Sequence, residues 1–363
     1  MSLTQQTGRA DRLSALLPEA EVDALLVTGL VNVRYLTGYT GDNGLAVIGP
    51  ETRAFITDFR YVEQAAEEVD SSFERRQAQL ELVDAIEAVL PGGPLRLGFE
   101  SSHVSVRDHG RLRSELPARV ELVPLDGLVE QLRTVKDTDE VTRIEEAAKL
   151  ADGAFTELVQ GGLSGRSERE LAFALEVNMH RQGASAASFE IIIASGPHGA
   201  LPHGMPRDVE VTPGQFVVID WGARFDGYCS DCTRTVYVGG EPGPEEQEVY
   251  DLVLTAQLAG LEAIRAGASA REVDAAARGL IEAAGHGEHF GHSLGHGVGL
   301  EIHEAPRLSQ RSDATLEAGN VVTDEPGIYL PGRFGVRIED LVVVTDEGPQ
   351  ILTSVTKELM TVD

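Results

Sequence analysis

Four carboxylates set the terms on which this chain can fold. Asp220, Asp231, Glu325 and Glu339 lie on or beside short Val/Ile-rich segments such as Phe216-Val-Val-Ile219, Val321-Val-Thr-Asp324 and Val336-Arg-Ile338. Among them runs a glycine-punctuated histidine stretch, Gly291-His-Ser-Leu-Gly-His-Gly-Val-Gly-Leu-Glu-Ile-His303. Acids on apolar strands are drawn inward with the strands, where desolvation and mutual repulsion both oppose ionisation. Two divalent cations resolve the conflict: four negative charges meet four positive ones, and one neutral imidazole completes an oxygen/nitrogen cage. The pattern implies a dinuclear hydrolytic metal centre.

The rest of the composition narrows the setting. With 363 residues and 42% hydrophobic content, the chain has material for two ordinary domains. Lys and Arg total 30 against 59 Asp and Glu, a formal charge of −29. A surface that acidic favours solubility and repels phosphate backbones, which argues against nucleic-acid partners. No apolar run reaches the roughly 18–20 residues of a membrane span. The polar start, Met1-Ser-Leu-Thr-Gln-Gln-Thr-Gly-Arg-Ala10, lacks the apolar core of a signal peptide, so a cytoplasmic protein without membrane partners is expected. Cys229 and Cys232 form C-x-x-C in a strand pattern, where residues three apart face opposite sides; they read as packing residues.

Helix and strand signals alternate through the first ~130 residues in the manner of an α/β unit. Helices are expected around Thr7–Leu17, Arg60–Glu68 and Glu81–Leu90, with strands at Ala24–Thr28, Leu45–Ile48, Ala54–Thr57 and Arg96–Phe99. Asn32–Gly41 reads as a loop. A charged join, Leu132–Glu140, precedes a long helix whose apolar stripe is Val141, Ile144, Ala148, Ala151, Phe155 and Leu158. The domain boundary is placed there, giving domains 1–133 and 134–363. The second domain repeats itself. Capping-box patterns open at Ser167 and Ser269, 102 residues apart; Asp220 and Glu325 are 105 apart, Asp231 and Glu339 108 apart. A duplicated helix–helix–strand–strand unit would send two carboxylates from each half to one central site.

The expected ligands are Asp220, Asp231, His296, Glu325 and Glu339, an oxygen-rich set that suits Mn²⁺, Co²⁺ or Zn²⁺. The Gly-containing turn Phe225-Asp-Gly-Tyr228 lets Asp220 and Asp231 converge, and Pro326-Gly327 stops the strand after Glu325. Gly295-x-Gly297-x-Gly299 is not a dinucleotide fingerprint. His292 and His296 are spaced as in helical zinc proteases, but the glycines around them forbid a helix. At such a centre a metal-bridging hydroxide serves as nucleophile. Glu325 is placed to shuttle its proton, and His203, His292 and His303 are candidates to bind the scissile carbonyl and its oxyanion.

Six segments resemble the pita-bread-fold metallopeptidases, in particular the Xaa-Pro peptidase branch of prolidases and aminopeptidases P. They are Ala194-Ser-Gly with Leu201-Pro-His-Gly204, Val218-Ile-Asp-Trp-Gly-Ala223, Tyr228–Thr235, Gly295–Glu304, Asp324-Glu-Pro-Gly-Ile-Tyr329 and Gly335–Asp340, in family order across the whole C-terminal domain. The N-terminal likeness is thinner, Asn32-Val-Arg-Tyr-Leu-Thr-Gly38 and Asp58-Phe-Arg-Tyr61. The resemblance implies an α/β creatinase-like N-terminal domain and an α+β pita-bread catalytic domain with pseudo-two-fold duplication. It implies Asp231 and Glu339 as bridging ligands and substrate contacts by His203, His292 and His303. Arg337 and Thr233 would support the ligands from behind, and Tyr329 would line the proline pocket. It further implies two Mn²⁺ ions (Co²⁺ or Zn²⁺ also fitting), hydrolysis of the bond before proline in short peptides, and a homodimer. Asp324, beside Glu325, departs from the family's usual apolar residue and could alter metal preference. The alternatives are a methionine aminopeptidase-like or creatinase-like hydrolase, or a non-catalytic binding protein on the same fold. Dipeptide or longer-peptide preference would be set by the N-terminal domain, with Arg34 and Arg60 as candidate clamps.

Overall fold

The computed structural model describes residues 3–363, with side chains from residue 8 onward; Met1 and Ser2 of the polar N-terminal run lie outside them. The chain divides into two compact units, Met1–Arg133 and Thr134–Asp363. No helix among the described residues is long and apolar enough to cross a membrane.

The first unit contains α1 (Leu3–Leu16), β1 (Ala24–Val27), α2 (Leu30–Thr37), β2 (Gly44–Gly49), β3 (Thr52–Thr57), α3 (Val62–Glu68), β4 (Glu74–Gln77), β5 (Leu95–Glu100), α4 (Val106–Glu115), β6 (Val120–Leu125) and α5 (Leu128–Thr134). Its strands form one mixed sheet in the order β4-β3-β2-β1-β5-β6. Two expectations fail here. Residues 32–37 are helical, not a loop: Gly29 caps the start and Gly38, at φ 84°, ends the helix in the left-handed region. Asn32 is buried and donates to Glu100 and Glu130 while accepting from Arg133, so a polar residue sits inside for a tertiary reason. Glu81–Leu90 is not an α-helix but two 3-10 turns, Leu82–Ala85 and Glu87–Val89. Pro91 forces Leu90 to extended backbone before a longer ladder can form. Strand β4, Glu-Arg-Arg-Gln with all four residues exposed, carries no apolar alternation and is invisible to pattern reading.

The second unit is duplicated. Its first half runs α6 (Thr138–Gln160), α7 (Glu168–Gln182), β7 (Ala186–Ala187), β8 (Ile192–Ser195), β9 (Gln215–Trp221), β10 (Ala223–Phe225), β11 (Tyr228–Cys229) and β12 (Cys232–Val238). Its second half runs α8 (Pro244–Ala263), α9 (Ala270–Ala283), β13 (Gly295–Gly297), β14 (Glu304–Leu308), β15 (Val321–Asp324), β16 (Gly327–Leu330), β17 (Phe334–Arg337), β18 (Asp340–Thr345), β19 (Gly348–Ile351) and β20 (Thr361–Val362). The two larger sheets follow the halves, β12-β9-β8 against β14-β13-β15-β18-β19, except that the C-terminal β20 returns to pair with β12 of the first. Each half has its own core. Phe155, Leu171, Leu175 and Trp221 lie in one; Val253, Ala277, Val322 and Val342 lie in the other. The expected stripe of α6 is buried from Ile144 to Leu158. Ser167 forms its capping box with Glu170, but Ser269 makes no side-chain cap and is tied instead into a bridge with Thr315.

Candidate metal centre

An isolated bridge, Thr233 with Glu339, joins the halves near their acids; in it the Glu339 N–H donates to Thr233 O at 3.1 Å. Thr233 also stands opposite Asp220 in the β9–β12 register, so this bridge gathers acids from both halves. Asp231 and Glu339 do not sit within strands, as the sequence reading placed them. Each falls in the break between consecutive strands, β11 and β12 or β17 and β18, where the backbone can turn a carboxylate off the sheet. Asp226 (φ 45°) and Gly227 (φ 81°) form the tight turn of the intervening hairpin, two left-handed residues in succession.

The glycines around His296 are required by close backbone approach. A Cβ on Gly295 would stand 2.0 Å from Thr323 O, and one on Gly297 2.2 Å from Ala305 O. The strand is thereby pressed between β14 and β15, and His296 projects toward the acids. Its Nε2 lies 3.5 Å from Asp231 Oδ2 and 3.4 Å from Glu325 Oε1. One ligating atom each from Asp231, His296 and Glu339 falls within 4.8 Å of the others. Nδ1 of His296 donates to Gly297 O at 3.0 Å, which leaves the Nε2 lone pair facing the acids. Burial pushes His296 down to about 4, so the ring is neutral.

The carboxylates are supported from behind. Thr233 Oγ1 donates to Glu339 Oε2 at 2.6 Å and accepts from Arg337 Nε at 3.0 Å. Arg337 Nη2 donates to Asp220 Oδ2 at 2.6 Å. Thr323 Oγ1, which the sequence reading did not single out, donates to Glu325 Oε1 at 3.2 Å. Burial drives all four acids above their ordinary range. For Asp231 the neighbouring charges of Glu339, Asp220 and Glu325 add to it; Glu325 reaches about 8. Asp220 Oδ1 is buried without a hydrogen-bond partner among the described residues. Largely buried carboxylates that repel one another, an orphaned oxygen and an aimed imidazole lone pair make a donor set that fits divalent cations. The thiols stand apart from it: Cys229 and Cys232 are buried and free, with their sulfurs on Leu300 O and Glu339 O.

Asp324 faces away from the cage. It is wholly buried under α8, where a Cβ on Gly260 would meet its Oδ1 at 2.4 Å, and it pairs in register with Asp340. Alternation along the strand explains this, because neighbours of Glu325 point to the opposite face. Asp324 therefore bears on α8 packing, not on the ligand set.

A cleft of about 990 Å³ opens on the acids; His203, His292, His296, His303, Phe189 and Arg307 are among its lining residues. His203 and His303 are exposed in it, and the His303 ring lies 4.4 Å from that of His296. His292 has both nitrogens engaged: Nδ1 donates to Ser293 O, and Nε2 accepts from Tyr329 Oη at 2.9 Å. Tyr329 in turn accepts from Arg337 Nη1 at 2.8 Å. Tyr329 and Thr233 are buried behind the cleft and do not line it. The loop bearing His292 is held by Arg278, which donates to Phe290 O and His292 O, and by Asp274, which accepts from Leu294 N–H. In the sequence Asp274 and Arg278 are one i,i+4 pair among others, indistinguishable from a surface pair. Arg307, an exposed cation on the cleft wall, gave no signal beyond its nearness to His303.

The family model for metallopeptidase family M24 matches residues 142–346, and that for the creatinase/prolidase N-terminal domain matches residues 9–135. An Xaa-Pro dipeptidase of Pyrococcus furiosus is 38% identical, over 97% of this chain and 99% of its own. The solved structure of an Xaa-Pro dipeptidase from Bacillus anthracis superposes with a TM-score of 0.94 at 42% identity, covering 98% of this chain and 100% of that one. An X-Pro aminopeptidase from Thermotoga maritima gives 0.90 at 38% identity, again covering 98% and 100%.

Proposed function

The chain belongs to metallopeptidase family M24, with the pita-bread catalytic fold and a creatinase-type N-terminal domain, and on that basis we propose that it hydrolyses the Xaa-Pro bond at the N-terminus of short peptides. The observation that carries the reading is the convergence of Asp220, Asp231, Glu325, Glu339 and the neutral His296 on a cleft with two exposed imidazoles and a cation on its wall. Those five residues, Asp231 and Glu339 among them, would hold two divalent ions, Mn²⁺ by first expectation. Such ions let the acids ionise side by side, polarise the scissile carbonyl and make water a nucleophile near neutral pH.

The protein's own groups do the rest. Arg337 occupies one oxygen of Asp220 and so aims the other inward. Thr323 holds Oε1 of Glu325, leaving Oε2 free among the described residues to take a proton from the nucleophile and pass it to the departing proline nitrogen. An amide nitrogen leaves only as the protonated amine, so proton delivery is obligatory. His203 and His303 stand on the wall where a substrate oxyanion can accept their hydrogen bonds. His292, held by Tyr329, shapes the wall.

Incubating the purified chain with Mn²⁺, Co²⁺ or Zn²⁺ and measuring proline release from Xaa-Pro dipeptides tests the reading. Glu325→Gln should lower kcat about 10²-fold or more while the fold is kept; full turnover by that variant would sink the mechanism. Xaa-Pro-Xaa tripeptides decide the second reading, an aminopeptidase. The cleft favours it only in being near the top of the roughly 300–1,000 Å³ range of small-ligand pockets. Assembly as a homodimer belongs to the same reading and is checked by light scattering.

A further inference from the structure

Glu168 is the first residue of α7, directly after the Ser167 cap, where an acid ordinarily faces solvent and the helix dipole. Here it is wholly buried. Its Oε1 accepts from the Ser195 N–H at 2.7 Å and from Ser195 Oγ at 2.8 Å. Its Oε2 accepts from His198 Nδ1 at 2.8 Å and from the Arg207 N–H at 3.0 Å. One carboxylate therefore ties down residues 195–207 at both ends, Ser195 and Arg207, and at His198. A capping role needs none of these bonds, because Ser167 and Glu170 already form the capping box of this helix.

The tethered segment is one wall of the cleft. It carries Pro202, His203 and Met205 into the lining. Pro202 O accepts from Arg337 Nη1 at 3.2 Å, the same guanidinium that holds Asp220. The 3-10 turn Gly196–Ala200 lies directly on β17: a Cβ on Gly335 would stand 2.0 Å from Gly199 O. His198 is buried, and its Nε2 has no hydrogen-bond partner among the described residues. That edge of the ring abuts Gly204, where a Cβ would be 3.0 Å from Nε2. Gly204 is the residue after His203, so the His198 ring, fixed at Nδ1 by Glu168, is the floor under the turn that presents His203.

We propose that Glu168 and His198 are positioning residues for the reaction: through the 195–207 segment they hold His203 against the substrate carbonyl and Pro202 O against Arg337. The assignment of His203 rests on the Xaa-Pro reading above; the tethering of the segment does not.

Glu168→Gln places an NH₂ group among these partners; whichever way the amide turns, one backbone N–H, that of Ser195 or of Arg207, faces a donor, while the Ser195 hydroxyl or the His198 ring has to reverse its role. The expected result is a fall in kcat/KM of about 10-fold or more in the native background but under about 3-fold in a His203→Ala background, because most of the loss passes through His203 and only the remainder through the Pro202–Arg337 contact. Mn²⁺ affinity, measured by chelator competition, should change less than about 3-fold, and amide exchange across 196–207 should speed up about 10-fold or more. An equal loss in both backgrounds, or unchanged exchange in that segment, overturns the proposal. If Glu168→Gln does not fold, His198→Ala and His198→Asn carry the same test. The alanine variant should show the loss and the asparagine variant should recover most of it, because its Nδ2 can donate where Nδ1 did; equal behaviour of the two overturns the proposal. If the native protein cleaves no Xaa-Pro peptide, the functional reading fails, while the exchange comparison still decides the tethering.

Discussion

Stripping the divalent cations should make this protein less stable as the pH rises, the reverse of ordinary acid denaturation. Without cations Glu325 is held at about 8 against an ordinary 4.5; burial is the main cause, Arg337 opposes it and Asp220 adds to it. A carboxyl whose folded pKa is raised binds its proton more tightly folded than unfolded. Its stabilisation is therefore complete below about pH 4.5 and is lost as the pH climbs through about 8. That interval, at about 1.4 kcal/mol per pH unit, sets a ceiling of about 5 kcal/mol for this one group. Asp231 and Glu339 shift in the same direction. Against a total stability of about 5–15 kcal/mol this is a large share. At roughly 2–4 °C per kcal/mol it corresponds to a fall of about 10–20 °C in melting temperature. Thermal melts of chelator-treated and Mn²⁺-loaded protein between pH 5 and 9 measure it. Above about pH 6.5, where the buried His292 and His296 are neutral folded or unfolded and no longer oppose the trend, the treated protein should melt lower at each step up to pH 8, while the loaded protein stays nearly level because bound cations keep the acids ionised. A chelated protein whose melting temperature holds level or rises over that window would refute the charge argument on which the metal centre rests.

Trp221→Ala should cost about 3–5 kcal/mol in urea unfolding followed by circular dichroism. The indole is fully buried, stacks on Phe155 at 4.3 Å and donates to Ala151 O. Trp221→Phe keeps a ring and loses the hydrogen bond, and should cost less than half as much. Arg307→Ala should raise KM about 10-fold for substrates with a free C-terminal carboxylate and leave kcat within about 3-fold. Substrates amidated at that end should be little affected; an equal effect on both kinds would show that the guanidinium does not read the carboxylate.

Much of the site was legible because its chemistry is local. Val218–Ala223 announces a strand with an acid near its end, Asp226-Gly227 a tight turn, and Gly295-His-Gly297 a backbone that neighbours approach too closely for any side chain. The 105-residue spacing of Asp220 and Glu325 made two such acids members of one repeated unit. Where reading failed, the deciding contact lay far along the chain. Residues 32–37 became helical around an asparagine whose partners are Glu100, Glu130 and Arg133, and Ser269 gave up its cap for a bridge to Thr315. Strand β4 exists because β3 offers an edge, not because its four charged and polar residues ask for one.

By itself, then, the sequence pointed to which acids would share a centre, because burying four of them together without cations is costly in any fold. It could not determine which oxygen of each acid points inward, nor what holds the wall across from them. Those depend on Thr233, Thr323 and Arg337 behind the acids and on Glu168 beneath His203, contacts mostly between residues distant in sequence. A hydrogen bond has direction and a range of about 3 Å, so only the packed tertiary structure decides where it forms.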